Sequence, residues 1–201
     1  DLAPVAIGGF APYVLVTTPS FPAKDIKEFI TLVKGSPGKY SYASSGTGAA
    51  AHLAVEYFNG VAGIKATHIP YKGSIPALTD VISGQIPLSV QSAPGVLTAI
   101  QSGRVRAMAV TTLKRLPQLP DVPAIAETLP DFENLGWFGL MAPEGAAASL
   151  VQKINADVVA IIRKPEFTAK LRALNLEPIA NSPEEARKFI LDRSEEHTSE
   201  L

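Results

Sequence analysis

Hydrophobic residues in the first part of the chain change repeatedly from a strand-like to a helix-like spacing. The run YVLVTT, residues 13–18, is β-branched and aromatic, which is typical of a strand. Residues 25–34 instead place their apolar side chains on one stripe of a helix. A strand at residues 40–43 and a helix at residues 49–59 repeat this order, and the loop between them is rich in serine and glycine.

The same alternation continues to residue 111. Strands are predicted at residues 66–69, 86–90 and 106–111, and helices at residues 75–83 and 96–101. Glycine follows both helices, at Gly84 and Gly103, where a left-handed C-terminal cap is expected. Because the strands are separated by helices and short loops, the sequence predicts right-handed βαβ crossovers and a mainly parallel sheet.

After Leu113 the pattern changes, because prolines become too frequent for regular structure and predict an extended linker. A strand is predicted at residues 137–142, and helices follow at residues 147–162, 166–174 and 183–191. The string NSPEE before the last helix is a good N-terminal capping signal. The predicted organisation is a complete α/β lobe at residues 20–112 and a partial, discontinuous lobe at residues 1–19 and 113–192.

Composition excludes several classes of protein. A net charge of −1 over 201 residues gives no basic surface of the kind that binds nucleic acid or an anionic membrane. The absence of cysteine excludes disulfides, thiol catalysis and thiolate metal sites, and no apolar run is long enough to span a bilayer. His52 and His68, without an obvious cluster of carboxylates, are poor evidence for a metal.

Both ends of the chain are unusual. The first residue is neither Met nor part of a signal peptide, so we expect a processed protein or a fragment. The last nine letters, RSEEHTSEL, are the translation of a DNA string that resembles a common short-read sequencing adapter. We therefore expect residues 193–201 to be an adapter-derived artefact, with a charged disordered C-terminus as the alternative.

The segment SSGTGAAA, residues 44–51, fits the dinucleotide-binding pattern G-x-G-x-x-G/A between a strand and a helix. That fingerprint also needs an acidic residue at the end of the next strand, to hold a ribose hydroxyl. The next strand ends in THIPYKG, which contains no acid. A nucleotide-dependent α/β enzyme therefore remains only an alternative hypothesis.

A serine hydrolase is a weaker hypothesis for the same segment. Neither Ser44 nor Ser45 has glycine on both sides, as the nucleophile elbow requires. His52 and His68 are the available bases, and Glu56 is the nearest acid in sequence. A catalytic triad needs the base to be oriented by a carboxylate, and the sequence offers no clear arrangement of that kind.

General physics favours an anion site in this loop. Amide N–H groups at a helix N-terminus and the positive end of the helix dipole attract negative charge. The alternative is that Ser45 or Thr47 only caps the helix. Two further strand ends, residues 71–74 and residues 91–92, lie at the same predicted edge of the sheet and add hydroxyl, amide and lysine groups. Together these groups suit a small carboxylate.

Four motifs in order carry a resemblance to a known family. They are YASSGTGAAAHLAVEYF, HIPYKGSIPALTDVISGQI, RVRAMAVTTLKRLPQLPDVPAIAE and WFGLMAP. In this order they resemble the Bug family, the periplasmic solute-binding receptors of tripartite tricarboxylate transporters. The resemblance covers residues 1–192 and implies an α/β, type II periplasmic-binding-protein-like fold with two lobes, the first of which is truncated here.

The resemblance also implies a function without catalysis. Such receptors close on a small organic carboxylate, which here could be a di- or tricarboxylate, an amino acid or an aromatic acid. The implied partners are the membrane subunits of the transporter, and the implied location is the periplasm. The resemblance implies no cofactor, no metal, no nucleic acid and no insertion into the membrane.

The resemblance implies ligand contacts at three loops and at the start of the first crossover strand. The residues that carry over are Ser44, Ser45, Gly46, Thr47, Gly48, Ala49, Tyr71, Lys72, Gly73, Gln91, Ser92, Phe10 and Ala11. Ala49 departs from the family, which often has serine there, and the segment near Gln91 lacks the family's frequent Asp or Asn. We also expect part of the cleft to be absent, because the family's first lobe begins before residue 1.

Overall fold

A computed structural model describes residues 2–198 of the chain, with side chains described through residue 192. The chain divides into two compact units. Unit 1 contains the described residues up to Ala11 and those from Trp137 onward, and unit 2 is Pro12–Gly136. Strand β1, Leu2–Thr17, contributes residues to both units.

Unit 2 is a five-stranded sheet with helices on both faces. Its strands are the second part of β1, β2 (Ser41–Ser44), β3 (Thr67–Pro70), β4 (Leu88–Ser92) and β5 (Arg106–Val110). Its helices are α1 (Ile26–Lys34), α2 (Ala50–Ala62), α3 (Ser74–Ile82) and α4 (Ala93–Gln101). The strand order is β3-β2-β4-β1-β5.

The direction of β1 differs from the prediction. Strand β2 is parallel to both β3 and β4, as expected. Strand β1, however, is antiparallel to β4 and β5, with Leu15 opposite Val90 and Ala109. The prediction of a mainly parallel sheet is confirmed for β2 to β5, which run in one direction, and is wrong for β1, which runs opposite to them between β4 and β5. A connecting helix alone does not fix the relative direction of two strands that are not neighbours, so β1-α1-β2 is not a parallel βαβ crossover.

Consecutive residues of β1 point into two separate cores. Leu15 packs in a cluster with residues of α1 and α2, including Phe29 and Phe58. Val14 and Val16 pack in a second cluster with residues of α3 and α4. Because both faces of the sheet are covered, YVLVTT is a continuous apolar run rather than an alternating one.

The proline-rich segment after β5 belongs to unit 2. It contains a 3-10 turn at Ile125–Glu127, and Phe132 near its end is buried against Tyr57 and Phe58. Residues 13–17 also belong to unit 2, because they pair with β4 and β5. The unit boundaries at 11/12 and 136/137 therefore differ from the predicted lobe boundaries at 19/20 and 112/113.

Unit 1 is built on the first part of β1. This strand pairs with β6 (Leu135–Pro143) and with the short β7 (Glu177–Pro178), which the sequence did not predict. Three helices complete the unit: α5 (Ala148–Ile162), α6 (Pro165–Ala173) and α7 (Pro183–Thr198). No helix in the described part of the chain combines the length and apolarity needed to cross a membrane.

The start of α7 agrees with its predicted cap. The N–H of Ser182 donates to the Glu185 carboxylate, and the N–H of Glu185 donates to Oγ of Ser182, at 2.8 and 3.1 Å. The helix ends at Thr198, beyond the predicted end at residue 191. Residues 199–201 of the expected artefact lie outside the described residues, and its origin in an adapter stays a prediction.

Candidate functional site

The segment Ser44–Ala49, which we call the glycine loop, joins β2 to α2. Its backbone conformation favours glycine at two positions. Gly46 has a φ of 143° and Gly48 a φ of 76°, conformations that side chains with a Cβ rarely adopt. A Cβ on Gly46 would meet the carbonyl oxygen of Tyr71 only at contact distance, 3.4 Å, so the backbone conformation and not the available space requires glycine there. The glycines therefore allow the sharp turn between β2 and α2.

Several amides of the glycine loop and of the first turn of α2 are open, by which we mean that no group in the described residues accepts a hydrogen bond from their N–H. The N-cap residue is Ala49, and no side chain caps the helix. In the part of the chain that the structure describes, no acceptor receives the N–H groups of Ser45, Thr47, Ala50 and Ala51. The helix-cap alternative is therefore wrong, and open amides remain at the positive end of the helix dipole, where an anion is favoured.

Ser44 has a different environment from the other hydroxyl residues of the loop. It is fully buried, its Oγ lies 2.6 Å from Nε2 of His68, and that oxygen accepts the N–H of Gly46 at 3.2 Å. Ser45 is half-buried and Thr47 is exposed. Ser44 therefore holds the turn together, whereas Ser45 and Thr47 are accessible for contact with a ligand.

A second loop, Tyr71–Gly73, lies directly against the glycine loop, and we call it the lysine loop. The N–H of Tyr71 donates to the carbonyl of Ser44 at 3.0 Å, and the N–H of Gly73 donates to that of Ser45 at 3.1 Å. The Tyr71 hydroxyl donates to Asp80 at 2.5 Å, and this hydrogen bond raises the pKa of Tyr71. Lys72 is exposed, so the lysine loop carries one solvent-accessible cation next to the glycine loop in the sheet.

Residues 91–92, the third strand end predicted to contact a ligand, are only partly accessible to solvent. Gln91 is buried, and its side-chain amide donates to Oγ of Ser89, which in turn donates to the carbonyl of Ala43 in β2. Ser92 is half-buried and is the N-cap residue of α4, but its side chain makes no capping hydrogen bond. Gln91 therefore supports the strand that leads into the glycine loop, and Ser92 lies at the strand end.

Phe10 and Ala11 belong to unit 1 rather than to the unit that contains the loops. The Phe10 ring packs against Phe189 with a centroid separation of 5.6 Å, and Ala11 is buried. These contacts are sufficient reasons for an apolar side chain at each position. The role of both residues in ligand binding stays a prediction.

Two histidines that the sequence left without a role lie beside the glycine loop. The rings of His52 and His68 stack with centroids 4.0 Å apart, and the Tyr42 ring stacks on His68 at 5.0 Å. Nδ1 of His52 accepts the N–H of Gly48 at 3.1 Å. The sequence contained one signal for this contact, because His52 is four residues after Gly48, but the stacking depends on the pairing of Tyr42 with His68 between β2 and β3.

These groups do not form a catalytic triad. The short contact between Ser44 and His68 has the spacing of a nucleophile and its base. Glu56, however, accepts a hydrogen bond from the Tyr42 hydroxyl at 2.5 Å, and no carboxylate within the described residues hydrogen-bonds to His68. The described residues also contain no group of three or more His, Asp or Glu side chains that could hold a metal ion.

The environment of His68 favours the neutral imidazole. Burial and then the neighbouring His52 lower the pKa of His68 from its usual 6.5, against a smaller opposite effect of Glu56. Below about pH 6.5 the unfolded chain therefore binds more protons than the folded chain at this residue, so the free energy of unfolding falls as the pH falls.

The lowered pKa of His68 leads to a testable prediction about stability in acid. In urea unfolding at about pH 7.5 and about pH 5.5, the midpoint of the unaltered chain should fall more than that of His68→Gln, which cannot titrate in this range. Equal decreases in the two proteins would show that His68 does not contribute to the loss of stability in acid.

Comparison with known proteins identifies a family that the chain matches. The sequence profile described as "Tripartite tricarboxylate transporter family receptor" matches residues 1–199. A "UPF0065 protein in tcbD-tcbE intergenic region" of Pseudomonas sp. (strain P51) is 37% identical over 92% of this chain and 55% of its own length. Protein BugT of Bordetella pertussis is 33% identical over 96% of this chain and 59% of its own. The chain thus spans somewhat more than half the length of these relatives.

Solved structures agree with this match. An R. palustris protein solved with adipate has a TM-score of 0.91 and 33% identity, and covers 96% of this chain and 64% of its own. MatC from Rhodopseudomonas palustris with bound malate has a TM-score of 0.84 and 28% identity, and covers 96% of this chain and 65% of its own. These similarities confirm the predicted fold class, an α/β protein of the periplasmic-binding-protein type.

Proposed function

The chain belongs to the tripartite tricarboxylate transporter receptor family, and we propose that it binds a small dicarboxylate through the glycine loop and the lysine loop. The membership confirms the resemblance drawn from the four sequence motifs. The family and the similar structures are solute-binding proteins, which agrees with the expectation of a receptor that is not an enzyme.

One observation carries the proposal: the glycine loop presents open backbone amides and accessible hydroxyl groups at the N-terminus of α2. Two of the open N–H groups, those of Ala50 and Ala51, belong to the first turn of α2. Backbone N–H groups at a helix N-terminus bind a carboxylate without further chemistry. Lys72 adds a positive charge at the neighbouring loop, which suits the overall charge of a dicarboxylate.

Similar proteins support the choice of a dicarboxylate over other acids. The two structures described above hold adipate and malate, which share two carboxylates separated by a short chain. In this proposal the glycine loop binds one carboxylate of the ligand, and the bound ligand favours the conformation of the protein that it contacts best.

The wider role follows from the family. We infer that the protein works in the periplasm and delivers its ligand to the membrane subunits of a tripartite transporter, which recognise the ligand-bound form. The observations in support are the family match and the similarity to the solved structure of a periplasmic transporter, with a TM-score of 0.90 and 38% identity.

A thermal-shift screen tests the proposed ligand class. The chain is heated with adipate, malate, citrate, and nicotinamide and adenine dinucleotides at matched ionic strength, since a ligand that binds the folded state raises the melting temperature. A rise with adipate or malate, and none with the dinucleotides, is the expected result. A rise with a dinucleotide alone would overturn the proposal and make the glycine loop a cofactor site.

Lys72→Ala gives a more specific prediction. An exposed lysine that attracts a bound carboxylate contributes up to about 1 kcal/mol, so the affinity for adipate or malate should fall about two- to fivefold, and less at high salt. Titration calorimetry measures this change. Lys65→Ala, at another exposed lysine of unit 2, is the matched control and should leave the affinity unchanged. Equal effects of the two variants would contradict a contact between Lys72 and the ligand.

A further inference from the structure

We propose that His52 and His68 are positioning residues that act as one stacked pair and hold the two ends of the glycine loop in the shape that binds a carboxylate. The inference rests on the proposed function, which it deepens by assigning a role to two side chains outside the loop itself. It also accounts for histidines that neither catalysis nor metal binding explains.

His68 holds the first end of the loop through Ser44. Nε2 of His68 lies 2.6 Å from Oγ of Ser44, which is fully buried and accepts the N–H of Gly46. The ring of His68 therefore fixes the Ser44 hydroxyl, and the hydroxyl fixes the amide at the sharpest point of the turn. Because Ser44 is not open to a ligand, the role of this contact is to set the conformation of the backbone.

His52 holds the second end of the loop directly. Its Nδ1 accepts the N–H of Gly48, which requires that Nδ1 carry no proton, so the neutral ring is protonated at Nε2. Without this acceptor the Gly48 amide has no partner within the described residues, and Gly48, with a φ of 76°, has wide conformational freedom. The acceptor therefore selects one loop shape among several.

Stacking makes the two contacts dependent on each other. The two imidazoles lie 4.0 Å apart, so a displacement of one ring disturbs the other. The Tyr42 ring also stacks on His68, at 5.0 Å, and its hydroxyl donates a hydrogen bond to Glu56 of α2. The open amides of Ser45 and Thr47 lie between the two held ends of the loop, and their positions follow from both contacts.

Replacing each histidine by two kinds of side chain tests the inference. His52→Asn keeps an oxygen acceptor near the position of Nδ1, and His68→Gln keeps a hydrogen-bonding group near the position of Nε2. His52→Leu and His68→Leu keep comparable volume and lose the hydrogen bond. We expect the leucine variants to weaken adipate and malate binding at least tenfold, and the amide variants to stay within about threefold of the unaltered chain.

Two additional measurements separate positioning from general stability. Urea unfolding of all four variants shows whether a loss of affinity only follows a loss of stability. The proton chemical shift of the Gly48 amide, measured without ligand, should move upfield in His52→Leu, where the hydrogen bond is lost, and stay near its original value in His52→Asn. This shift reports on the contact itself and does not depend on the identity of the ligand.

The results can contradict the inference in two distinct ways. Leucine variants that bind like the unaltered chain, or amide variants that are equally stable but bind as weakly as the leucine variants, would overturn it. If the unaltered chain binds no carboxylate, the proposed function fails. In that case an unchanged Gly48 shift in His52→Leu would overturn the positioning role as well, and a changed shift would preserve the His52 contact as a structural fact.

Discussion

Gly46→Ala is expected to lower the affinity for adipate or malate at least tenfold. The φ of 143° at Gly46 is strained for any residue with a Cβ, which costs on the order of 1–3 kcal/mol. The loop relieves this strain by changing shape, and the open amides then lose their positions. Titration calorimetry at constant salt measures the loss.

Gly103→Ala is the matched control for strain without a ligand contact. Gly103 has a φ of 69° after the end of α4, and a Cβ added there would meet no atom within 4 Å. This variant should lose about 1 kcal/mol of stability and keep its affinity. If Gly46→Ala bound a dicarboxylate as well as Gly103→Ala does, the glycine loop could not be the site of binding.

Phe132→Ala should lower the stability of unit 2 by about 3–5 kcal/mol. Phe132 is 1% exposed, and its ring lies 5.0 Å from the ring of Tyr57 and 5.8 Å from that of Phe58 in α2. Its removal leaves a cavity between the proline-rich segment and the helix that begins at the glycine loop. Urea unfolding followed by circular dichroism measures the change.

Leu113→Ala provides the comparison for Phe132→Ala. Leu113 lies near the start of the same segment but is 51% exposed, so its truncation should change the stability by no more than about 0.5 kcal/mol. A small effect at both positions would mean that the proline-rich segment is only an extended linker, as its sequence alone predicted, and does not anchor the core of unit 2.

Local patterns predicted most helices and strands because those elements carry a complete apolar face of their own. Helix α1, for example, has a stripe that includes Phe29 and Val33, and both are buried. Strand β1 was predicted only from Tyr13, although it begins at Leu2. Its first part contains Gly8 and Gly9, which have weak strand propensity and are held by pairing with β6 and β7. Long-range pairing of this kind is not visible in a local window.

The position of the candidate site was predictable, but the orientation of its side chains was not. A strand, a glycine turn and a helix in succession predict open amides at residues 46–50. In the structure the N–H groups of Thr47 and Ala50 are open, whereas those of Gly46, Gly48 and Ala49 have acceptors. The burial of Ser44 depends on its contact with His68, and therefore on the register that places Tyr42 beside His68. The roles of Gln91 and of the two histidines follow from pairing between strands that are far apart in sequence.

The most direct test of carboxylate binding by the glycine loop is a two-dimensional ¹H–¹⁵N titration of the chain with adipate and with malate. The account predicts saturable shifts of the amides of Ser45, Thr47, Ala50 and Ala51, because an anion accepts hydrogen bonds from these open N–H groups. The exposed turn at Gly84 should not respond. Saturable shifts elsewhere in the chain, with none in the glycine loop, would contradict the account.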